Sequence, residues 1–402
     1  MKKIEFALWS ILFLGCSNVS KKDNGKISIE SQIDAISNDN TDGNIRIDVS
    51  KKYDEKKISI QNISNISYIS LETNDDFLWR GNVKGITESY ILGGDNKTGD
   101  ILLFDRNGKS VKKINHKGNG AQEYTSFITI VPDEDNAEIF VNDNFKKKIF
   151  VYDFDGTYKR VLNYPSGGMF YRIYDFDDKY LIGYDKRNNE ILNKFVIFSK
   201  QNGSVKKEIT LSQKVKISER FRYKSKNGGM VVVATEIYPL MKSGNDFVLS
   251  DISCDTIYKM NKNMEYAPYI VRDPSICNME KSAFLFYILE TDQYLFANTV
   301  TKEFDMDKQE GYPSVSLMYD KKIKQIYEVH FYNSDYINMK ELEIGPEAIS
   351  FFSVLDNVCV VRLDPISLID DYENGNLKGE LKKIASTLKE DDNDVLMVIR
   401  FK

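Results

Sequence analysis

The stretch Ile101–Lys109 reads Ile-Leu-Leu-Phe-Asp-Arg-Asn-Gly-Lys, and Ile149–Tyr158 repeats its pattern as Ile-Phe-Val-Tyr-Asp-Phe-Asp-Gly-Thr-Tyr. In both copies an apolar, aromatic-rich strand runs into an Asp-x-x-Gly turn, where Asp bonds its own backbone and Gly accepts a positive φ. Weaker copies follow at Val196–Gly203, Ile257–Asn263 and Leu317–Lys322. The aromatic positions of the five copies lie 46 to 61 residues apart, which indicates a repeated unit of several short strands.

A unit of this size is typical of a β-propeller blade. A small antiparallel sheet cannot bury both of its faces alone, whereas radial stacking of similar sheets covers both faces of each. The 24 Tyr and 23 Phe residues also favour strands. At about 60 residues per blade, residues 44–402 predict an all-β, six-bladed β-propeller, although five or seven blades also fit the arithmetic.

The two ends of the propeller region carry the predicted closing strands. Ring closure normally pairs the first strand with the last blade, because an unpaired edge would template aggregation. The candidate closing strands are Ile45–Val49 and Val395–Phe401. Apolar residues recur at helical spacing before the last strand and predict a short helix near the C-terminus; they are Leu377, Leu381, Ile384, Ala385 and Leu388.

The first residues have the pattern of an export signal. Lys2 and Lys3 precede an apolar run, Phe6–Leu14, that is too short to cross a bilayer as a helix. We therefore predict a signal peptide over residues 1–15. The run ends at Phe13-Leu14-Gly15-Cys16, which resembles the bacterial lipobox, whose Cys is lipidated.

This pattern predicts lipidation of Cys16, a flexible polar tether over residues 16–43 and a propeller domain over residues 44–402. The corresponding location is the cell envelope, with the lipid anchor in the outer membrane and its leaflet left open. A soluble secreted protein is the alternative.

A family resemblance supports the same fold and location. The segments Gly118–Tyr124, Ile139–Asn144 and Lys148–Gly156 together resemble an NHL-type repeat. The chain as a whole resembles the six-bladed β-propeller lipoproteins of unknown function from Bacteroidota. Its Ile66–Thr73 and Asp391–Val398 resemble that family's first strand and closing segment. The resemblance implies a fold and a location but no established activity.

The composition disfavours several classes of function. The net charge of −5 argues against a nucleic-acid partner. The two histidines, His116 in a loop and His330 in a predicted strand, are too few and too distant for a His-rich metal site. Cys254, Cys277 and Cys359 show no CxxC spacing, so no zinc site is expected. We predict that Cys359 is a buried small residue and leave a Cys254–Cys277 disulfide open.

No local motif indicates a cofactor or a metal. The acidic run Asp133–Asn136 invites a calcium interpretation, but Glu138 stands where the calcium-binding loop needs Gly, so a solvated turn is predicted. Gly118–Gly120 lacks the Lys-Ser/Thr and the helix start of a phosphate loop. No Gly-x-Ser-x-Gly elbow is present to support a serine hydrolase.

The predicted ligand site is the central funnel, because binding sites of closed rings tend to be concave and central. Large polar or aromatic residues near the starts of blades are the candidates: Trp79, Arg80, His116, Glu123, Tyr124, Tyr171 and Arg172. We predict a non-enzymatic binding or scaffold module that recognises a glycan, a peptide or a partner envelope protein. The alternative is a hydrolase or lyase that acts on an extracellular polymer through an Asp/Glu pair in the funnel.

Overall fold

Six mostly antiparallel sheets form the blades of a β-propeller, as the repeats predict. The computed structural model describes residues 44–79, 81–186, 193–224, 229–305, 310–345 and 357–402, which all belong to one compact unit. The predicted signal peptide, the tether with Cys16, and Arg80 lie outside the described residues.

Blades 1 to 3 each consist of four consecutive strands, the first innermost. Blade 1 comprises Asn82–Ile86, Tyr90–Asp95, Asp100–Asp105 and Ser110–Ile114. Blade 2 comprises Thr129–Asp133, Glu138–Asp143, Lys148–Asp153 and Tyr158–Asn163. Blade 3 comprises Phe170–Asp175, Tyr180–Asp185, Lys194–Ser199 and Val205–Ile209.

Blades 4 to 6 include strands from the N-terminal part of the chain. Blade 4 comprises Leu240–Ser243, Asp246–Leu249, Thr256–Met260 and Tyr266–Asp273, with Ile45–Asp48 at its edge. Blade 5 comprises Ala283–Glu290, Tyr294–Thr301, Ser314–Asp320 and Gln325–Asn333, with Glu55–Ser59 at its edge and Lys340–Leu342 on its fourth strand. The described strands of blade 6 are Val358–Leu363, Val395–Phe401 and Ser64–Ser70.

The sequence repeats all fall on the same part of a blade. The five copies lie one to a blade in blades 1 to 5, and each covers the third strand of its blade and the turn after that strand. In the two clearest copies the turn glycines, Gly108 and Gly156, both have a φ of +85°, and Asp105 and Asp153 accept backbone N–H bonds within their turns. The interpretation of the Asp-x-x-Gly segments as hairpin turns is therefore confirmed.

Ring closure involves a different N-terminal strand from the one predicted. Val395–Phe401 does lie in the last blade, but it pairs antiparallel with Ser64–Ser70. Ile45–Asp48 instead pairs parallel with Tyr266–Asp273, on the edge of blade 4. The error arose because Ile45–Val49 is the first apolar segment of the domain, whereas the chain places two extra edge strands before it reaches blade 6.

A buried asparagine stabilises the closure of the ring through hydrogen bonds. The side chain of Asn393, which is 1% exposed, donates to the carbonyls of Glu72 and Phe77 at 2.8 and 2.6 Å and accepts from the Trp79 amide at 2.7 Å. Its own amide donates to Thr73 Oγ1 at 2.7 Å. These bonds attach the segment before the last strand to the connection that leads from blade 6 into blade 1.

Short helices decorate the propeller. The helix predicted near the C-terminus is present as Gly379–Ala385, with Leu381 and Ala385 buried. A second helix, Pro365–Glu373, was not predicted; Asp364 caps it by accepting from the Ser367 amide, and Pro365 occupies its first turn. The other helical segments described are Ile60–Ile63, Pro165–Gly167 and Ile276–Asn278.

The hydrophobic core lies between the blades, as radial stacking requires. One cluster joins blades 6 and 1, a second joins blades 1 and 2, and others continue the series to blades 4, 5 and 6. The Tyr and Phe side chains supply much of this packing; Phe104, Tyr152, Phe198 and Tyr287 are all at most 1% exposed. The aromatic composition is thus explained largely by packing between blades. Cys359 is fully buried in this core, as predicted.

Candidate functional site

The two ends of the ring carry different connections. In a four-stranded antiparallel blade, the connection to the next blade and the loop between strands two and three lie at the same end. The mouth end, as we call it, therefore carries the long connections such as residues 210–239. The opposite, hairpin end carries the short turns between strands one and two and between strands three and four.

A charged cluster lies where the innermost strand of blade 3 meets the connection into blade 4. The Glu236 carboxylate accepts from the Tyr171 hydroxyl at 2.7 Å and from Arg172 Nη2 at 2.9 Å. The Arg172 side chain is 3% exposed, whereas that of Glu236 is 57% exposed. The guanidinium also lies over the rings of Tyr171 and Tyr238, 5.4 and 5.5 Å from their centroids. This arrangement fixes a buried cation beneath an accessible carboxylate.

Lys84, from the innermost strand of blade 1, adds a second cation to this cluster. Burial and then the charge of Arg172 lower the pKa of Lys84, whereas Glu236 opposes that shift. We call Lys84, Arg172 and Glu236 the mouth cluster. Tyr238 continues the wall towards blade 5, where its ring meets Phe286 edge-to-face at 5.6 Å. The cluster therefore combines positive charge, a tyrosine hydroxyl and aromatic surface.

Two of the predicted ligand residues, Tyr171 and Arg172, belong to this part of the molecule. Lys84 and Glu236 were not among the candidates. Lys84 had a usable signal, because a single charged residue stands within the apolar strand Asn82–Ile86 just before Gly85. Glu236 had none, since it lies in an irregular connection far in sequence from its partners.

His116, Glu123 and Tyr124 come together elsewhere, in the wall between blades 1 and 2. The Tyr124 hydroxyl donates to the Gly99 carbonyl at 2.6 Å, and its ring is fully buried. His116 stacks on Tyr152 with a centroid distance of 4.6 Å, and its Nε2 lies 2.7 Å from the Gly156 carbonyl. The Glu123 carboxylate accepts from the Gly120 amide at 2.7 Å. In the structure all three residues hold the connection between these blades in place.

Trp79 is placed in packing between blades 6 and 1. Its side chain is 2% exposed and lies 6.4 Å from Phe104, with the Arg362 guanidinium over the ring at 5.5 Å. Trp79 therefore contributes to the side-chain packing between the last and first blades, where the ring closes. Arg80, the next residue and the remaining candidate, is outside the described residues.

Buried charges also bridge blades at the hairpin end, where the sequence indicated only a solvated turn. Lys200 Nζ lies 2.5 Å from Asp133 and 2.6 Å from Asp175, and both Lys200 and Asp133 have 2% exposed side chains. Burial raises the pKa of Asp175 to about 6, against the opposing influence of Lys200. The prediction of a fully solvated Asp133–Asn136 turn is thus wrong for Asp133. Because the ammonium lies between the two carboxylates, this pair bridges blades 2 and 3.

A second bridge joins blades 4 and 5 around Glu290. Its carboxylate accepts from Lys259, from Lys321 at 2.7 Å, and from Ser243 and Tyr269 at 2.5 Å each. Burial disfavours the charged form, but these donors outweigh it and lower the pKa of Glu290 to about 2. Glu290 is therefore an ionised structural link between blades.

Other chemistry-bearing groups are dispersed. No three His, Cys, Asp or Glu side chains of the described residues are arranged to hold a metal ion. Cys254 and Cys277 are both free, the first buried and the second exposed. His330 lies in the fourth strand of blade 5, as predicted, with Nδ1 2.7 Å from Glu341. Within the described residues, no helix has the length and apolarity needed to cross a bilayer.

The sequence matches the family described as "Domain of unknown function (DUF4934)" over residues 44–400. The chain belongs to this family. The DUF4934 match covers every blade, so the family corresponds to the whole propeller. None of the curated proteins matches the chain.

Solved structures of several bacterial proteins are similar to this chain. A crystal structure described as a "Putative exported protein" from Bacteroides fragilis is 17% identical, covers 89% of this chain and 99% of its own, and superposes with a TM-score of 0.59. At this identity the likeness shows the fold alone. A DUF4221 member from Bacteroides vulgatus is 11% identical, with a TM-score of 0.48 and coverage of 85% and 99%. Virginiamycin B lyase from Staphylococcus aureus is also 11% identical, with a TM-score of 0.35 and coverage of 67% and 94%.

Proposed function

We propose that this DUF4934 propeller is a non-enzymatic binding module whose mouth cluster holds an anionic ligand, such as an acidic glycan or an acidic peptide. The observation that carries the proposal is the buried Arg172 guanidinium, whose Nη2 lies 2.9 Å from the exposed Glu236 carboxylate, with Lys84 near enough to interact electrostatically with both. A ligand carboxylate would take the place of Glu236 beside Arg172 in a partly desolvated site, where charge-assisted hydrogen bonds are stronger than in water. The Tyr171 hydroxyl and the Tyr238 ring supply the polar and apolar surfaces that a sugar or peptide needs.

The same proposal places the module at the cell envelope, held in the outer membrane by a lipid on Cys16. It is supported by the signal-peptide pattern of residues 1–15, the lipobox-like Phe13–Cys16 and the NHL-like repeats. The Bacteroides origin of two structural neighbours favours a source within Bacteroidota. Mass spectrometry of cell-expressed protein tests the anchor: Cys16→Ala should lose the acyl mass, and an unchanged mass would refute lipidation.

The binding proposal is tested with residues 44–402, the compact unit that contains every described strand. Arrays of neutral glycans, uronic-acid glycans, and acidic and neutral peptides are probed, and each bound compound is recovered and analysed. We expect acidic compounds to bind and to be recovered unchanged. Release of shortened products would instead establish the hydrolase or lyase alternative.

Two charge variants identify the site on any acidic compound that binds. Glu236→Gln removes the carboxylate that competes with the ligand, so affinity should rise by about 5- to 10-fold, whereas Lys84→Gln should lower it by a similar factor, since hydrogen bonds to charged groups contribute about 1.5–3 kcal/mol before screening. Glu123→Gln is the matched control in the wall between blades 1 and 2. Equal effects of Glu123→Gln and Glu236→Gln would reject the mouth cluster as the site.

A further inference from the structure

A two-stranded ribbon projects from the long connection between blades 3 and 4. Arg220–Lys224 pairs antiparallel with Met230–Ala234, and the ribbon belongs to none of the six blades. In a ribbon, alternate side chains point to opposite faces. The register opposes Arg220 to Ala234, Arg222 to Val232 and Lys224 to Met230 on one face. The two faces of the ribbon therefore carry different side chains.

The inner face packs against a loop of blade 5. Phe304 lies 6.4 Å from Phe221 and 5.8 Å from Tyr223, with the second pair stacked. The Tyr312 hydroxyl donates to the carbonyls of Glu219 and Val233, at 2.9 and 3.0 Å. These contacts hold the ribbon to the mouth end of the propeller.

The base of the ribbon is also anchored. Glu219, 7% exposed, pairs with Lys186 at 2.7 Å, and Lys302 donates to the Ser218 carbonyl at 2.7 Å. Burial disfavours the Glu219 carboxylate, but Lys186 outweighs this and lowers the pKa of Glu219. The orientation of the ribbon is thus fixed at its base as well as along its inner face.

The outer face consists of a row of cations beside a row of apolar side chains. Arg220, Arg222 and Lys224 are exposed along one strand. Met230 and Val232 are 69% and 51% exposed along the other. Arg220 lies 3.4 Å from Glu219 at the base of the ribbon, whereas Arg222 and Lys224 lie further along the same strand. Three cations so close together stand out in a chain of net charge −5. We call this surface the basic face.

We propose that the basic face docks on an anionic phospholipid bilayer. The headgroup region of such a bilayer attracts Lys and Arg, and its acyl boundary accepts apolar side chains next to them. Because a fluid interface needs no shape complementarity, it fits a two-stranded ribbon whose exposed face carries both cations and apolar side chains. An acidic protein would satisfy the cations, but it would need a shaped apolar surface to cover Met230 and Val232.

The primary test is vesicle flotation with residues 44–402, which lack the apolar run Phe6–Leu14 and any lipid. Vesicles of phosphatidylcholine alone are compared with vesicles that contain 30% phosphatidylglycerol. We expect binding to the anionic vesicles only, and its loss in high salt because screening weakens exposed charges. Absence of binding to anionic vesicles would overturn the proposal and leave the basic face to an acidic protein.

Matched triple variants test whether the basic face is responsible. Arg220→Gln, Arg222→Gln and Lys224→Gln together should lower the partition coefficient on the order of 100-fold, since each cation near an anionic surface contributes roughly fivefold. The control replaces three exposed lysines at the hairpin end, Lys206, Lys262 and Lys322, by Gln. A control that loses as much binding as the ribbon variant would refute the assignment to this face.

A fluorescence readout tests insertion of the apolar row. Residues 44–402 contain a single tryptophan, Trp79, which is 2% exposed and therefore insensitive to lipid. With Val232→Trp, anionic vesicles should shift the emission to the blue, and Val232→Asp should weaken flotation without changing the thermal midpoint, because Val232 is exposed. An emission maximum that stays unchanged in vesicle-bound protein would contradict insertion.

Discussion

Replacement of Asn393 by Ala should loosen ring closure measurably. The change removes two donors, to the Glu72 and Phe77 carbonyls, and one acceptor, for the Trp79 amide, from a side chain that is 1% exposed. An unmade bond to a buried group costs about 1–3 kcal/mol. Because Glu72 and Phe77 lie nearer solvent, we take the low end for each bond and expect a loss of about 3 kcal/mol in the free energy of unfolding.

The assay is thermal unfolding of residues 44–402, followed by circular dichroism and by Trp79 fluorescence. For a domain of this length, the average unfolding entropy per residue converts the loss into a fall of about 4 °C in Tm. Trp79 reports on the same site, since its amide is one of the three partners. The fluorescence transition should therefore move at least as far as the circular dichroism transition.

An exposed asparagine supplies the matched control. Asn374 donates through Nδ2 to the Asp370 carbonyl at 2.8 Å at the end of the helix Pro365–Glu373. Asn374→Ala should change Tm by less than about 1 °C, as is usual for surface substitutions. If Asn393→Ala shifts Tm no further than Asn374→Ala, the proposed role of Asn393 in closing the ring is wrong.

Three further predictions concern charge and backbone conformation. The pKa of Glu290 is depressed to about 2 in the folded chain, so its stabilisation is present above about pH 4.5 and lost as pH falls towards 2; Glu290→Gln should remove about 1–2 kcal/mol of the loss of unfolding free energy between pH 7 and pH 3, measured by urea unfolding, and parallel pH profiles would contradict this. Gly108→Ala should lower Tm more than Gly167→Ala, because both residues have positive φ but the added Cβ lies 2.1 Å from the Ser70 carbonyl only at Gly108; equal losses would show that φ alone matters. Since burial and Arg172 lower the pKa of Lys84, an anionic ligand that contacts this ammonium should lose affinity as pH rises through that lowered pKa, which titration calorimetry between pH 7 and pH 10.5 measures; an affinity that stays constant over this range would exclude Lys84 as a contact.

Local patterns predicted the blades because each repeat contains its own turn chemistry. Gly108 and Gly156 need positive φ, so Asp-x-x-Gly marked the same hairpin in successive blades. Edge pairing carries no comparable signal. Ile45–Asp48 and Ser64–Ser70 are both short alternating segments, and only the distant partners Tyr266–Asp273 and Val395–Phe401 distinguish their positions.

The candidate site was less predictable for the same reason. Tyr171 and Arg172 could be proposed from their place at the start of a blade, but Glu236 meets them from 64 residues or more along the chain. The interblade role of Tyr124 likewise depends on the Gly99 carbonyl, to which no side-chain pattern points. Buried ion pairs such as Lys200 with Asp133 were missed because acidic residues in a turn usually face water.

The N-terminal segment crosses the outer edges of three successive blades, with Ile45–Asp48 on blade 4, Glu55–Ser59 on blade 5 and Ser64–Ser70 on blade 6. Tension applied at Asn44 would reach the four-residue pairing first, the five-residue pairing second and the seven-residue closing strand last. The first two strands can therefore detach while the pairing of Ser64–Ser70 with Val395–Phe401 keeps the ring closed. A molecule pulled from its N-terminal side would yield in steps, and the closing strand of blade 6 would be the last of the three to detach.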